Sequence, residues 1–334
     1  MMLSVVSPVY NESKNLPLLY QALADALKSI AYPWELILVD DGSKDNSFAV
    51  LENLARSDPE HIRVVGLRRN FGQTAAIAAG IDHAEGDIIV LIDSDLQNDP
   101  ADIPLLLAKI DEGYDVVSGW RNNRKDTFIT RTLPSTLANW LISSVTGVYL
   151  HDYGCTLKAY RREVLTGFRL YGEMHRFIPV YAHTVGARIT EIQVNHHPRR
   201  FGQAKYGLER TGKVLLDLFT VKFLSSYSSK PIYLFGGTGL GLMGMALATL
   251  IYLAVRRLAE GISPFLSPMF IVAIMIFIMG FQSILMGLIA ELLMRTYHES
   301  SDKPTYTIRS RVNFPANYVT YHQQRANAYS GSDS

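Results

Sequence analysis

The chain has 334 residues, with 32 Lys and Arg against 31 Asp and Glu, for a formal net charge of +1. That length allows one large domain or two smaller ones, and the near-neutral balance gives no reason to expect nucleic acid as a partner. A single cysteine, Cys155, excludes an internal disulfide framework and suits a reducing compartment.

Near the N-terminus, LSVVSPV is an apolar, β-branched run that predicts a strand. No basic region leads into a sustained apolar stretch there, so the segment reads as folded protein rather than as a signal peptide. The polar turn YNES follows, then a helical pattern from Leu16 to Ile30. WELILVD predicts the second strand, ending at DGSKDNS, with a helix from about Ser47 to Ala55. IRVVGL predicts the third, and the alanine-rich part of RRNFGQTAAIAAGIDHA is helical. DIIVLID is the fourth, and a helix from Ile103 to Glu112 leads to the fifth, YDVVSGW. This alternation predicts an α/β fold with a mostly parallel sheet and helices on both faces. Ligands of such sheets bind beyond the carboxyl ends of the strands. The polar clusters Tyr10–Glu12, Asp40–Ser43, Arg68–Asn70 and Asp93–Gln97 all fall at those ends. No GxGxxG follows the first strand and no GxxxxGK[ST] occurs, which argues against a dinucleotide enzyme or a P-loop.

The fourth strand ends in VLIDSDLQNDP, where carboxylates crowd together and repel unless a positive charge sits among them. Residues two apart on a strand point the same way, so Asp93 and Asp95 are expected to face one ligand. Hard oxygen donors without a Cys or His cluster suit Mg²⁺ or Mn²⁺, and magnesium normally shares its coordination with substrate phosphates. A D-x-D with so few other ligands therefore points to a diphosphate substrate. The adjacent His196 and His197 lack a third ligand at zinc spacing.

Farther on, the chain turns basic and then amphipathic between Asp126 and Leu150. Tyr206 to Tyr227 sets Leu, Val and Phe at helical spacing opposite Lys and Arg. The latter segment precedes a membrane-like stretch and reads as interfacial helices in the headgroup plane. Ile232–Val255 and Phe265–Ala290 are uncharged and long enough to cross a hydrocarbon core of about 30 Å. They form a two-span hairpin, and the excess of Lys and Arg outside it places both termini and the polar domain on the cytoplasmic side of the cell (inner) membrane. Gly237 and Gly241 form a small-xxx-small pair that suits close helix contact, within one chain or in a homo-oligomer such as a tetramer.

VVSPVYNES, LILVDDGSKDNS, RRNFGQTAAIAAG and IIVLIDSDLQNDP, in that order, resemble the family 2 glycosyltransferases with the GT-A fold, a Rossmann-like sheet. GWRNNR, HDYGCTLKAYRREV and HPRRFGQAKYG, followed by two spans, resemble more narrowly the polyisoprenyl-phosphate glycosyltransferases of the bactoprenol glucosyltransferase type, related to dolichyl-phosphate mannose synthases. The resemblance implies a GT-A domain over 1–205, amphipathic helices over 206–230, the hairpin over 231–295 and a polar tail over 296–334. It implies that Pro8, Tyr10, Asn11 and Glu12 embrace the nucleoside, and that Asp40 reads the base on a turn shaped by Asp41, Gly42 and Ser43. Asn70 and Gly72 join the nucleotide-sugar site or simply cap a helix. Asp93 would lie by the ribose and metal, Asp95 would ligate the metal, and Gln97 would sit near the diphosphate and sugar.

Arg121, Arg124 and Arg131 follow the fifth strand, and a guanidinium fork suits the acceptor phosphate. Arg199, Arg200 and Lys205 precede the amphipathic segment, with Arg131 and Arg200 the preferred pair. Asp152 matches the family's candidate base, for orientation or proton removal. The implied reaction is an inverting, metal-dependent transfer from a nucleotide sugar, UDP-glucose first, to a polyisoprenyl phosphate such as undecaprenyl phosphate. Mannose transfer from GDP-mannose and a non-catalytic, membrane-anchored nucleotide-sugar binder are the alternatives. A processive polysaccharide synthase would carry a Q-x-x-R-W motif, which is absent.

Overall fold

The apolar run Leu3–Val9 forms strand β1, buried along its whole length because parallel strands flank it on both sides. Its neighbours are β2 (Trp34–Asp40) and β4 (Ile88–Leu91). A strand covered on both faces needs continuous apolarity rather than alternation, which is why these segments read as unbroken hydrophobic runs. With β3 (Ile62–Leu67), β5 (Val116–Trp120), β6 (Lys158–Arg161), β7 (Ile189–Gln193) and β8 (Ile308–Val312) they build one sheet of order β7-β5-β6-β4-β1-β2-β3-β8. The computed structural model describes residues 1–121, 139, 142–144, 146–165, 170, 174–201, 232–261, 263, 267–300, 305–315 and 318. The expected amphipathic helices over 206–230, and most of the stretch from Asp126 to Trp140, lie outside the described residues.

The helices follow from their apolar spacing. α1 (Leu16–Leu27) buries Leu16, Leu19, Leu23 and Leu27 on one face, and a proline in its first turn supplies the helical φ. It stops short of Ile30, whose N–H turns back to the Leu27 carbonyl at 3.1 Å. α2 (Ser47–Ser57) and α4 (Ile103–Asp111) match the predicted helices to within two residues. α3 (Gln73–His83) buries Ala75, Ala76, Ala79 and Gly80, small residues that let it lie close on β1 and β2. The short helices α5 (Arg162–Leu165) and α6 (Ile178–Thr184) complete this unit. Each fully buried leucine contributes about 1.5–3 kcal/mol, and the core runs through β1, β2 and β4 to α1 and α4.

The sheet is mixed: β6 runs antiparallel to both β4 and β5, and β8 runs antiparallel to β3. The chain divides into two compact units, residues 1–218 with 304–334, and residues 219–303. The second unit holds α7 (Ile232–Glu260) and α8 (Pro268–Ser300), of which Phe235–Glu260 and Pro268–Ala290 are long and apolar enough to cross a membrane. α7 continues past Val255, the end of the uncharged stretch, to Glu260, which accepts from Arg256 Nε at 2.9 Å one helical turn back. The two helices meet at Gly239 and Gly280, where an added Cβ would stand 2.6 Å from the other's carbonyl oxygen. Gly237 and Gly241, the pair singled out by spacing, take no part in this contact within the chain.

The sequence predicts only a polar tail after the hairpin. That segment instead supplies β8 at the sheet edge and then ties itself to the first unit through side chains. The Tyr306 hydroxyl donates to Asp82 at 2.6 Å, the Tyr318 hydroxyl to the His83 carbonyl at 2.8 Å, and Asn313 Nδ2 to the carbonyls of Ala55 (2.7 Å) and Ile62 (2.8 Å). Asn313→Ala removes both bonds and is expected to destabilise the docked strand by about 1–2 kcal/mol. Amide exchange across Ile308–Val312 should then quicken roughly tenfold; exchange at the wild-type rate would detach Asn313 from the docking.

Candidate active site

Strands β1–β5 and β7 end at one edge of the sheet. The antiparallel β6 and β8 begin there, since Lys158 pairs with Leu91 and Ile308 with Leu67. Every predicted polar cluster therefore lies on that edge.

The loops after β1 and β2 interlock. Asn11 adopts a left-handed φ of +54°, which asparagine tolerates, and its N–H donates to Ser43 Oγ at 3.0 Å. Its Oδ1 accepts the Lys44 N–H at 2.7 Å, and the Glu12 N–H donates to Ser47 Oγ at 2.9 Å. Pro8 is buried within β1, and Tyr10 is half-buried just past it. Asp40 is fully buried at the end of β2 and accepts the Ser43 N–H at 3.3 Å, across a Gly42 that needs its φ of +65°. Burial pushes the Asp40 pKa above the ordinary carboxylate range.

Asp41 does more than shape the turn: it accepts the N–H groups of Phe71 (2.7 Å) and Gly72 (2.9 Å), tying the end of β2 to the loop after β3. Burial raises its pKa to about 6 against the pull of those bonds. Gly72, at φ +98°, is the cap residue of α3, and Asn70 beside it is exposed.

β4 ends at Leu91, so Asp93 and Asp95 stand in the turn beyond it, where strand alternation does not set their orientation. Hydrogen bonds set it instead. Asp93 Oδ1 accepts Gln73 Nε2 at 2.8 Å, while Asp95 accepts the Gln97 N–H at 3.1 Å through a turn that holds Leu96 at φ +62°. Arg199 brings a positive charge among these acids: its Nη2 lies 2.6 Å from Asp95 Oδ2 and its Nη1 3.5 Å from Glu12 Oε1, while the Arg121 charge acts on Asp93. Arg200, the neighbour preferred from sequence, is exposed. The arm carrying Arg199 is fastened to the β4 loop: Asp102 accepts Asn195 N–H (2.6 Å) and Nδ2 (2.9 Å), and the Gln97 carbonyl accepts the His197 N–H at 2.9 Å.

Asp152 is buried ahead of β6 and holds Arg121 in a fork, with Nε at 2.7 Å and Nη2 at 3.0 Å. It also accepts the Gly154 N–H at 3.1 Å. Burial pulls the Arg121 pKa down, and the Asp152 carboxylate pushes it up by more, so the guanidinium stays charged. The Arg121 fork and the Gly154 N–H together engage both oxygens of the Asp152 carboxylate. Below it, the buried Lys158 ammonium donates to the carbonyls of Tyr153 (3.2 Å) and Cys155, which fixes the turn carrying Asp152.

Arg124, Arg131 and Lys205 lie outside the described residues. Gln73 lies within the RRNFGQTAAIAAG run and Asn195 just ahead of HPRRFGQAKYG, but neither is singled out by its spacing; only the fold brings the start of α3 and the arm after β7 to the β4 loop. Among the described residues no group of three or more His, Cys, Asp or Glu could hold a metal ion. The Asp93 and Asp95 carboxylates are hard oxygen donors, the type that Mg²⁺ or Mn²⁺ takes.

A family model described as glycosyl transferase family 2 matches residues 4–168. The chain is 43% identical to dodecaprenyl-phosphate galacturonate synthase of Rhizobium johnstonii, covering 92% of each protein. It is 40% identical to undecaprenyl-phosphate 4-deoxy-4-formamido-L-arabinose transferase of an Enterobacter species, covering 92% of this chain and 93% of that one. Glucosyl-3-phosphoglycerate synthase from Mycobacterium tuberculosis, solved with Mg²⁺ and UDP, shares the fold at a TM-score of 0.50 and 20% identity, over 67% of this chain and 79% of that one.

Asp41→Asn tests the buried carboxylate. A raised folded-state pKa favours the protonated form, so the stabilisation is complete below pH 4 and is lost as pH rises through about 6. Unfolding curves should show wild type losing roughly 1–3 kcal/mol against the variant over that rise; a pH-independent difference would refute the assignment.

Proposed function

The chain belongs to glycosyl transferase family 2, among the polyprenyl-phosphate sugar transferases, and on that premise we propose that it moves a galacturonate-type sugar from a nucleoside diphosphate to a polyprenyl phosphate of the undecaprenyl class. The observation that carries this reading is the gathering of Glu12, Asp40, Asp93 and Asp95 at one sheet edge, in a chain 43% identical to a galacturonate synthase over nearly its full length. The sugars named for the two relatives share a ring configuration: the arabinose lacks the C6 carboxylate and carries a formamide at C4. We therefore place this class ahead of glucose.

In this reading Asp40 accepts an N–H of the base, and the interlocked loops at Asn11 and Ser43 shape the nucleoside side of the pocket. Asp93 and Asp95 would hold the divalent cation, which supplies neutralisation of charge on the departing diphosphate. An oxygen of the lipid phosphate attacks the anomeric carbon in line, the bond from that carbon to the diphosphate oxygen breaks, and the configuration inverts. The second pKa of a phosphate monoester is about 6, so the acceptor arrives already ionised at pH 7. Asp152 then acts by holding the Arg121 fork toward the phosphate, which makes it a positioning residue. Arg199 shares its charge between Glu12 and Asp95 and completes the electrostatics of the donor side. α7 and α8 would cross the cytoplasmic membrane, keeping the first unit on the side where nucleotide sugars are made.

Transfer of labelled sugar to undecaprenyl phosphate from a panel of UDP-galacturonate, UDP-4-deoxy-4-formamido-arabinose, UDP-glucose and GDP-mannose tests the donor. Galacturonate or the arabinose should dominate; glucose or mannose as the best donor would overturn the choice of sugar, and no transfer from any would overturn the activity. For Asp152→Asn we expect kcat to fall by about tenfold or more, with the pH–rate profile from pH 6 to 8 unchanged in shape. Loss of an acid limb in the variant would reinstate the proton-removal role.

A further inference from the structure

Asp40, Gly66 and Ser310 form one row across three neighbouring strands, because β2 pairs Asp40 with Gly66 and β3 pairs Gly66 with Ser310. At strand spacings of about 4.8 Å, Ser310 lies roughly 10 Å from Asp40 along that row. The pairing then slips: Leu67 is opposite Ile308, which leaves Arg309 as the extra residue of a bulge. Bulges turn a side chain out of the regular alternation and are enriched beside active sites. Arg309 is exposed, its guanidinium lies 4.3 Å from the centroid of the Phe48 ring, and its charge acts on Asp40. Phe48 belongs to α2, which starts just after the Asp40–Ser47 loop. The other charges that bear on Asp40 are acidic: Asp45 ahead of α2, and Asp41 on the same strand end, itself opposed by Arg69.

We infer that Arg309, on the strand that follows the hairpin, is a positioning residue of the donor-nucleotide site: stacked on Phe48, it supplies the positive charge against which the buried Asp40 carboxylate accepts a base N–H. The bulge aims it, and Phe48 holds the guanidinium plane. Without Arg309, only the Ser43 hydrogen bonds would oppose burial and the acidic neighbours, which favour the protonated form of Asp40, and a protonated carboxyl loses acceptor capacity. The strand after the hairpin thereby becomes part of the donor site. This inference rests on the proposed place of Asp40 in base recognition.

The test is calorimetric titration of the full-length protein with UDP and GDP in the presence of Mg²⁺, from pH 5.5 to 8, using whichever nucleotide binds more tightly. Arg309→Gln should weaken that binding about three- to fivefold, with the loss steepening at higher pH than in wild type as the solution is acidified. Arg309→Lys should restore most of the affinity and the wild-type pH dependence. Because Arg309 is exposed, both variants are expected to fold; an unchanged melting temperature verifies this. Affinity within twofold of wild type at every pH overturns the role of Arg309 while leaving the proposed function intact. A pH-independent loss that lysine does not rescue reduces Arg309 to a packing residue and also overturns it. Failure of wild type to bind either nucleotide overturns the donor-site reading and this inference together.

Discussion

The structure depends on keeping a crowd of buried carboxylates ionised, or at least satisfied, at one edge of a sheet. Glu12, Asp40, Asp41, Asp95, Asp102 and Asp152 are all buried there. Isolated in an apolar core, each would cost several kcal/mol or take up a proton. None is isolated. Asp40, Asp41 and Asp102 are met by backbone N–H groups, Asp95 and Glu12 share Arg199, and Asp152 holds Arg121 in a fork. The loops after β1 to β4 are therefore locked by the same bonds that satisfy the acids. The anionic site is preorganised, at the expense of the high carboxyl pKa values at Asp40 and Asp41.

Strand direction decides which residues reach that edge. A parallel strand delivers the residues just past its end, whereas an antiparallel strand delivers those at or before its start. β6 and β8 are the antiparallel strands, and they bring Asp152 and Arg309 to the place where β1 to β4 deliver Glu12, Asp40, the Arg68–Gln73 loop and Asp93. The pairing of β8 with β3 also returns the chain to the first unit after the hairpin, so residues on either side of the apolar helices share one sheet. The first unit is thereby joined to the hairpin at both of the hairpin's chain ends.

Much of this was legible in the sequence. The buried strands of a largely parallel sheet are continuous apolar runs, so β1 to β5 could be read directly, and the polar clusters at their ends marked the site. Asp40, Asp93 and Asp95 stood out because carboxylates rarely end such runs. The short polar strands were not legible: KAYR and IRSRV carry charge and little apolar pattern, since β6 gains its place by pairing between β4 and β5, and β8 by pairing at the edge. Arg199 and Arg200 are equivalent on paper. Only the fastening of Asn195 and His197 to the β4 loop turns the first onto Asp95 and leaves the second exposed. Gly237 and Gly241 had the right spacing, yet the helices meet at Gly239 and Gly280, because contact depends on which face is presented.

Local composition by itself determined the α/β class, the sheet edge at which the polar clusters gather and the two apolar helices. Each of these follows from burial periodicity and side-chain chemistry within a short stretch. Tertiary structure alone decided which cation meets which acid, that Asp152 is clamped by Arg121, and that the strand after the hairpin begins at the same edge as the Asp40 loop, with β3 between them. Those pairings join residues far apart in the chain, and a charge has no partner until folding sets its distances.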